Sequence, residues 1–126
     1  MPFAKWTYRI AGIYGLIVLL PMYFAVGQIE QQKPPAVTHV EFYYGFVGLA
    51  VTWQLLFLLI STDVHRYRRL MPVSWLEKLV FGVPVMILAF RGQVGRDIII
   101  GGVIDLALGL LFVVSWVVSE PHGDID

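Results

Sequence analysis

The sequence has no cysteine and little charge, and both shortages narrow the class of protein. The absence of cysteine from the 126 residues excludes disulfides, thiolate catalysis, iron–sulfur clusters and cysteine-ligated zinc. Charged residues make up 14% of the chain, whereas soluble domains typically have about 25%. Nine basic residues balance nine acidic ones, so the net charge indicates no nucleic-acid partner. A hydrophobic share of 58% and a mean hydropathy of +0.74 are typical of an integral membrane protein.

Motifs of known enzyme classes are also missing. His39, His65 and His122 all lie outside the apolar runs, so we expect no haem held in the membrane by this chain alone. The sequence has no phosphate-binding glycine loop, metalloprotease motif or nucleophile elbow. We therefore predict no catalytic residue, no metal and no cofactor. A membrane enzyme in which Glu77, His65 and nearby arginines act on a lipid headgroup is kept as a further hypothesis.

Four apolar segments are long enough to cross a membrane, which takes about 17–25 residues. They cover roughly residues 8–26, 42–60, 75–90 and 98–118, and the segments between them are short. Short connections favour antiparallel neighbours. The sequence therefore predicts an all-α fold in which residues 1–126 form one integral membrane four-helix up-down bundle. The third segment is the shortest, and we expect it to need upright packing or a locally thinner bilayer.

Basic residues are distributed unevenly between the two sides of this bundle. The side with both termini carries six and the other side three, namely Lys5, Arg9, Arg66, Arg68, Arg69 and Lys78 against Lys33, Arg91 and Arg96. Cytoplasmic loops are enriched in basic residues, so both termini are predicted to be cytoplasmic.

Arg66, Arg68 and Arg69, in the loop HRYRRL, form the densest basic cluster of the chain. Arginines beside a membrane attract anionic lipid headgroups by about 1 kcal/mol each. The cluster therefore predicts contact with an anionic lipid or with a partner. A role in setting topology alone is the alternative.

A single carboxylate, Asp105, interrupts the apolar stretch GGVIDLALGLLF. A central carboxylate costs about 2.5–3.5 kcal/mol on insertion, and each Leu or Ile returns only about 0.3–0.6 kcal/mol. Gly101 and Gly109 lie four residues before and after Asp105, on the same helical face. Small residues at this spacing let helices approach closely, so we expect Asp105 to point into the bundle.

The second apolar segment offers a matching face with Gly45, Gly48 and Thr52. We therefore predict that Asp105 is buried, neutral and hydrogen-bonded between the fourth and second helices, with Thr52 or a backbone carbonyl as its partner. Tyr14 is a further candidate. The alternative is a functional carboxylate that handles a proton, an ion or a ligand.

Three further polar residues lie in or beside the apolar segments. Gln54 lies roughly opposite the Gly45 and Gly48 face, so we predict that protein covers the Gln54 face as well. Either the second helix is central in the bundle, or another subunit contacts it there. Ser74 and Glu77 have the spacing of a capping box, which predicts that the third helix begins at Ser74 and that Glu77 is structural.

The central half of the chain, residues 42–59 and 65–82, resembles small uncharacterised bacterial inner-membrane proteins of four helices, which are loosely similar to the DoxX-like group. The shared elements are Tyr43-Tyr44-Gly45, Trp53-Gln54, Arg66-Tyr67-Arg68 and Glu77-Lys78. The resemblance implies a bacterial membrane bundle and supplies no activity.

Two functions remain open beside the membrane enzyme named above. The leading hypothesis is a non-enzymatic subunit that self-associates or belongs to a larger membrane complex. The alternative is a small transporter or binder of a lipid or hydrophobic ligand, with Asp105, Thr52 or Gln54 at its site. A polar-lined cavity at Asp105 would favour the alternative, and dry packing there would favour the subunit.

Overall fold

The computed structural model describes residues 2–25 and 39–120, and these contain helices and turns but no strand. Helix α1 covers Pro2–Leu19 and continues as a 3-10 helix over Leu20–Phe24, and α2 covers Val40–Thr62. A 3-10 turn at Arg68–Leu70 leads into α3, Met71–Phe90, and α4 covers Arg96–Val118. All four helices are long and apolar enough to cross a membrane. The predicted all-α, four-helix membrane bundle is confirmed.

The helix bounds differ from the prediction mainly at the start of α1 and α3. Helix α1 begins at Pro2, six residues before the predicted start, and α3 begins at Met71, four residues before it. Proline is tolerated in the first turn of a helix because its missing N–H has no partner there anyway, and Pro72 occupies that turn. Together with the preceding 3-10 turn, α3 gives an apolar span of 23 residues, as long as the other three. The bilayer therefore does not have to thin around it.

The capping box predicted at Ser74 and Glu77 is wrong. Ser74 lies inside the first turns of α3, where its hydroxyl donates to the Met71 carbonyl at 2.6 Å and bonds to the Tyr8 hydroxyl at 2.6 Å. Glu77 is therefore free of any capping role. Lys33 and the last residue of the first predicted span lie outside the described residues.

The helices pack as two pairs, α1 against α2 and α3 against α4, and α1 also contacts α4. Helices α2 and α3 make few contacts with each other. Glycine lets the backbones approach within each pair: a Cβ at Gly12 would lie 2.8 Å from Leu58 Cγ of α2, and one at Gly102 would lie 2.6 Å from Val85 Cγ1 of α3. The pairs therefore touch along α1 and α4 and separate between α2 and α3.

Aromatic side chains fill the half of the bundle near the turn at residues 63–70, called here the 63–70 end. The rings of Tyr8 and Phe112 stack with centroids 4.1 Å apart, and Phe57 meets Phe112 edge-on at 5.0 Å. All three are fully buried. Such aromatic contacts add about 0.5–1.5 kcal/mol beyond area burial. This end is therefore the closed part of the bundle, and the other end carries the turn at residues 91–95.

Candidate functional site

Asp105 pairs with a lysine on α3. Lys78 Nζ lies 3.4 Å from Asp105 Oδ1 and 3.8 Å from Glu77 Oε1. The Lys78 side chain is 4% exposed, and the carboxylate side chains of Glu77 and Asp105 are 16% and 18% exposed. Lys78 is seven residues into α3 and Asp105 nine into α4, so each lies about 10–14 Å from the start of its helix. The three charges form an ionic cluster near the middle of the spans.

The prediction that Asp105 has its partner on α2 is wrong, because α4 packs against α3. The interface of α4 is with α3: a Cβ at Gly109 would lie 3.2 Å from Lys78 Cβ, and one at Gly82 would lie 2.6 Å from Leu106 Cγ. Glycines on both helices therefore bring the Lys78 side chain beside α4. The predicted bond from Asp105 to the second helix is therefore replaced by a contact with Lys78 of α3, and the neutral state of Asp105 stays a prediction.

Thr52, the predicted partner on α2, is exposed. Its hydroxyl donates to the Gly48 carbonyl one turn earlier at 2.9 Å, so the side chain serves its own helix. Gly45 and Gly101 are not close-packed in this structure, because a Cβ at either would meet nothing within 4 Å. A Cβ at Gly48 would lie 3.4 Å from the Tyr23 hydroxyl, an ordinary contact. Of the four glycines predicted to pack helices, Gly109 alone makes a tight interhelical contact.

Gln54 is buried inside this chain, with 3% of its surface exposed. It lies against α1, where a Cβ at Gly15 would overlap its side-chain amide. The prediction that protein covers the Gln54 face is therefore confirmed, and the cover comes from α1 of the same chain instead of another subunit. Its Nε2 donates to the Ala50 carbonyl at 2.9 Å, while its Oε1 is buried without a hydrogen-bond partner among the described residues. Leaving such an acceptor unsatisfied costs about 1–3 kcal/mol.

A cavity of about 270 Å³ lies between the four helices, beside this ionic cluster. It occupies the half of the bundle nearer the 91–95 turn, where α2 and α3 separate, and the closed aromatic half lies beyond the cluster. Its lining combines apolar side chains with Glu77, Lys78, Asp105 and Gln54. The full lining is Tyr14, Gly15, Val18, Leu19, Met22, Phe46, Ala50, Gln54, Glu77, Lys78, Phe81, Asp97, Ile98, Gly101 and Asp105.

The polar end of the cavity has more acceptors than donors. Lys78 supplies one positive charge, and its ammonium also lies 5.1 Å from the centre of the Phe57 ring. Glu77 and Asp105 supply two carboxylates. Glu77 Oε1 is buried and makes no hydrogen bond within the described ranges, although the Lys78 ammonium is 3.8 Å away. The polar end is therefore a cluster of one ammonium and two carboxylates, in which Gln54 Oε1 and Glu77 Oε1 are themselves buried.

The basic cluster at the 63–70 end divides into one structural arginine and two exposed ones. Arg68 donates to the Trp116 carbonyl at 2.7 Å and to Ser119 Oγ at 3.2 Å, and its guanidinium lies 4.5 Å from the Trp116 ring centroid. It therefore caps the C-terminal end of α4, where a cation is favoured. Arg66 and Arg69 are exposed, as is His65. A lipid headgroup at this end would meet Arg66 and Arg69, not Arg68.

Lys78 is the site residue that sequence reasoning missed. It was counted among the basic residues at the membrane surface because the third span was expected to begin at Trp75. Without Lys78, five basic residues remain on the side of the termini against three on the other side. This count still predicts that both termini are cytoplasmic. The available signal was that Glu77 and Lys78 have apolar residues on both sides and that Pro72 allows an earlier helix start.

No protein-family model, curated protein or solved structure matches the chain. The resemblance to the DoxX-like group therefore stays a prediction. The candidate site rests on the geometry of this chain alone.

Proposed function

We propose that the chain is a small membrane transporter or hydrophobic-ligand binder whose site is the cavity beside Lys78, Glu77 and Asp105. The observation that carries the proposal is a cavity with apolar walls and one charged, hydrogen-bonding end inside the membrane-spanning region. Binding sites for small molecules have this composition: mostly apolar walls and a few polar groups that orient the ligand. A volume of about 270 Å³ lies just below the usual range of about 300–1,000 Å³ for ligand pockets, so it suits a small molecule.

The ionic cluster supports a function because packing alone does not require it. A buried ion pair is often replaceable by apolar residues without loss of stability, and ionisable residues within spans usually mark pathways or ligand sites. Here the three charged side chains line a cavity instead of a dry interface. Of the two hypotheses, a cavity with charged side chains at one end favours the binder or transporter.

Membership of a larger complex and self-association stay predictions. Their main support was Gln54 on an outer face, and Gln54 packs against α1 of the same chain. No contact of the described residues favours an accessory subunit over a binding protein.

We also propose a bacterial inner-membrane location with both termini and the 63–70 end in the cytoplasm. The exposed Arg66 and Arg69 at that end support this orientation and contact with anionic lipids. Cysteines introduced as Gln32→Cys and His122→Cys test it, since the chain has no cysteine of its own. In intact cells an impermeant thiol reagent is expected to label the first variant and not the second, and the reverse pattern would invert the orientation.

A cavity-filling pair of variants tests the binding function. Gly101 lines the cavity and its Cβ position is open, so we expect the larger side chain of Gly101→Leu to occupy part of the cavity. Gly45→Leu is the matched control, because its Cβ position is equally open and it lies on an exposed face. Binding of 2-phenylethanol to the protein in lipid nanodiscs is measured by saturation-transfer NMR, with empty nanodiscs as background.

We expect Gly101→Leu to abolish the protein-dependent signal and Gly45→Leu to keep it. Circular dichroism and size-exclusion profiles verify that both variants fold. An equal signal from the two variants, or none from the unmodified protein, would count against the cavity as a binding site.

A further inference from the structure

We infer that the ionic cluster of Glu77, Lys78 and Asp105 is a proton-binding site, in which the two carboxyl groups share one exchangeable proton at neutral pH. The cluster takes up this proton from the cavity and releases it there when the pH rises. Such a site goes beyond the proposed binding of a hydrophobic ligand, and it functions without one. Its basis is the charge that meets in the cluster and the depth at which the cluster lies.

The charges of the cluster do not cancel. The Lys78 ammonium lies 3.4 Å from Asp105 Oδ1 and 3.8 Å from Glu77 Oε1, so a single cation stands beside two acids. One positive and two negative charges leave a net charge of −1 when all three groups are ionised. One added proton makes the cluster neutral, because it leaves one ion pair and one uncharged carboxyl group.

The position of the cluster makes a leftover charge unfavourable. Lys78 and Asp105 each lie about 10–14 Å from the start of their helices, near the middle of the spans. An ionised group that is buried without full compensation takes up a proton instead of keeping its charge. Carboxylates that share one site also disfavour each other's ionisation. The two acids are therefore expected to titrate as a pair that holds one proton between them.

The other groups around the cavity do not supply a second cation. Among the described residues that line the cavity, Lys78 is the one basic side chain. Helix α1 contributes Tyr14 and α2 contributes Gln54, and neither side chain carries a charge at neutral pH. Asp97, in the first turn of α4, lines the same cavity and has an interaction of its own. The charge of the cluster is therefore counted without Asp97.

The proton can exchange because both acids border the cavity. Glu77 and Asp105 line it, and their side chains are 16% and 18% exposed, whereas the Lys78 side chain is 4% exposed. A cavity of about 270 Å³ has room for several water molecules, each of which occupies about 30 Å³ in the liquid. Water in the cavity can therefore reach the carboxyl groups while the lysine stays shielded.

A carboxyl group that binds and releases a proton inside a span is what a proton-coupled transporter requires. Ionisable side chains within spans commonly form proton relays and ion pathways. The link to transport rests on the proposed function, but the proton site itself does not, because its proton comes from water.

Infrared spectroscopy tests the site, because a protonated carboxyl group has a carbonyl band of its own that shifts in D2O. The full-length protein is measured in dodecyl maltoside, a detergent without a carbonyl group, at neutral pH, where exposed acids are ionised. We expect a band with the area of about one carboxyl group per chain. Raising the pH should remove the band reversibly, since the shared proton is then released.

Three variants distinguish a shared proton from a proton on one buried acid. Glu77→Gln and Asp105→Asn each leave a single acid beside Lys78, which is a neutral pair, so each variant should lose the band. Lys78→Met leaves two acids without a cation, so the band area should rise about twofold. Glu41→Gln is the matched control, since Glu41 is exposed near the start of α2, and it should keep the band. Circular dichroism and size-exclusion profiles verify that the variants fold.

The absence of the band from the unmodified protein at neutral pH overturns the proton site, and this measurement decides the question even if a variant fails to fold. A band that survives in Glu77→Gln or in Asp105→Asn assigns the proton to one acid and overturns the sharing. Loss of the band in Asp97→Asn also overturns it, because the proton then depends on an acid outside the cluster. The infrared measurement uses no ligand, so its failure and a failure of ligand binding in the cavity are distinguishable.

Discussion

The ion pair between Lys78 and Asp105 predicts a strong thermodynamic coupling between two residues 27 positions apart in sequence. The test is a double-mutant cycle of Lys78→Met, Asp105→Asn and the double variant. Methionine keeps the apolar stem that contacts Gly109, and asparagine keeps the size of the acid. The substitutions therefore remove charge and change packing little.

The structure sets the expected magnitudes. Removing one partner of a fully buried ion pair costs about 3–5 kcal/mol, and the 18% exposure of the Asp105 side chain moves the value to the lower end. We expect Lys78→Met to lower the free energy of unfolding by about 3 kcal/mol, because both carboxylates lose their counter-charge. Asp105→Asn should cost about 1–2 kcal/mol, since Glu77 still lies 3.8 Å from Lys78.

The double variant should lose about 1–2 kcal/mol less than the sum of the single losses. Unfolding is followed by tryptophan fluorescence and circular dichroism in mixed micelles with increasing SDS. Arg91→Met combined with Asp105→Asn is the control, because Arg91 is exposed just beyond α3 and should act independently. Additivity of Lys78→Met and Asp105→Asn within about 0.5 kcal/mol would refute the pairing.

The remaining predictions concern packing and the ends of the bundle, and all are measured by the same unfolding assay. Gly15→Ala should destabilise the protein by about 1–3 kcal/mol, because its Cβ would overlap the Gln54 amide. Gly45→Ala is the control and should not destabilise the protein. Equal effects of the two variants would contradict the packing of Gln54 on α1. Arg68→Met should cost about 1.5–3 kcal/mol, because the hydrogen bonds to Trp116 and Ser119 are lost. Arg69→Met should change stability by less than about 0.5 kcal/mol. A larger loss in the Arg69 variant would show that Arg69, not Arg68, is the structural arginine. Tyr8→Phe should cost about 0.5–1.5 kcal/mol, because it removes the 2.6 Å hydrogen bond to Ser74, and unchanged stability would show that this bond is not needed.

The helices could be predicted from sequence because the membrane imposes a length on each span, and apolar runs of that length are easy to recognise. Asp105 could be singled out for the same reason: a carboxylate in such a run is costly. Its partner could not be predicted from that pattern. The spacing of Ser74 and Glu77 matches a capping box, which predicts that the third helix begins at Ser74. Lys78 is then expected near the membrane surface, close to the start of that helix.

Gln54 shows a different limit of the sequence. Its polar character marked the correct face of α2 as one covered by protein, but an amphipathic pattern on one helix does not say which helix covers it. The missing information was on α1, where Gly12 and Gly15 leave room for a large neighbour. A small residue on one helix that makes room for a large residue on another can be recognised only when it is known which helices pair.

The ion pair between α3 and α4 has a consequence for biogenesis. Helix α3 is synthesised first and brings Glu77 and Lys78 toward the bilayer interior. At about 2.5–3.5 kcal/mol for each central charge and about 0.3–0.6 kcal/mol returned by each Leu-like residue, about 8 to 23 such residues are needed to offset the two charges. Asp105, the nearer partner of Lys78, arrives on α4, which the turn at residues 91–95 joins directly to α3. The two helices are therefore best inserted together, as a hairpin in which Lys78 is already paired with Asp105.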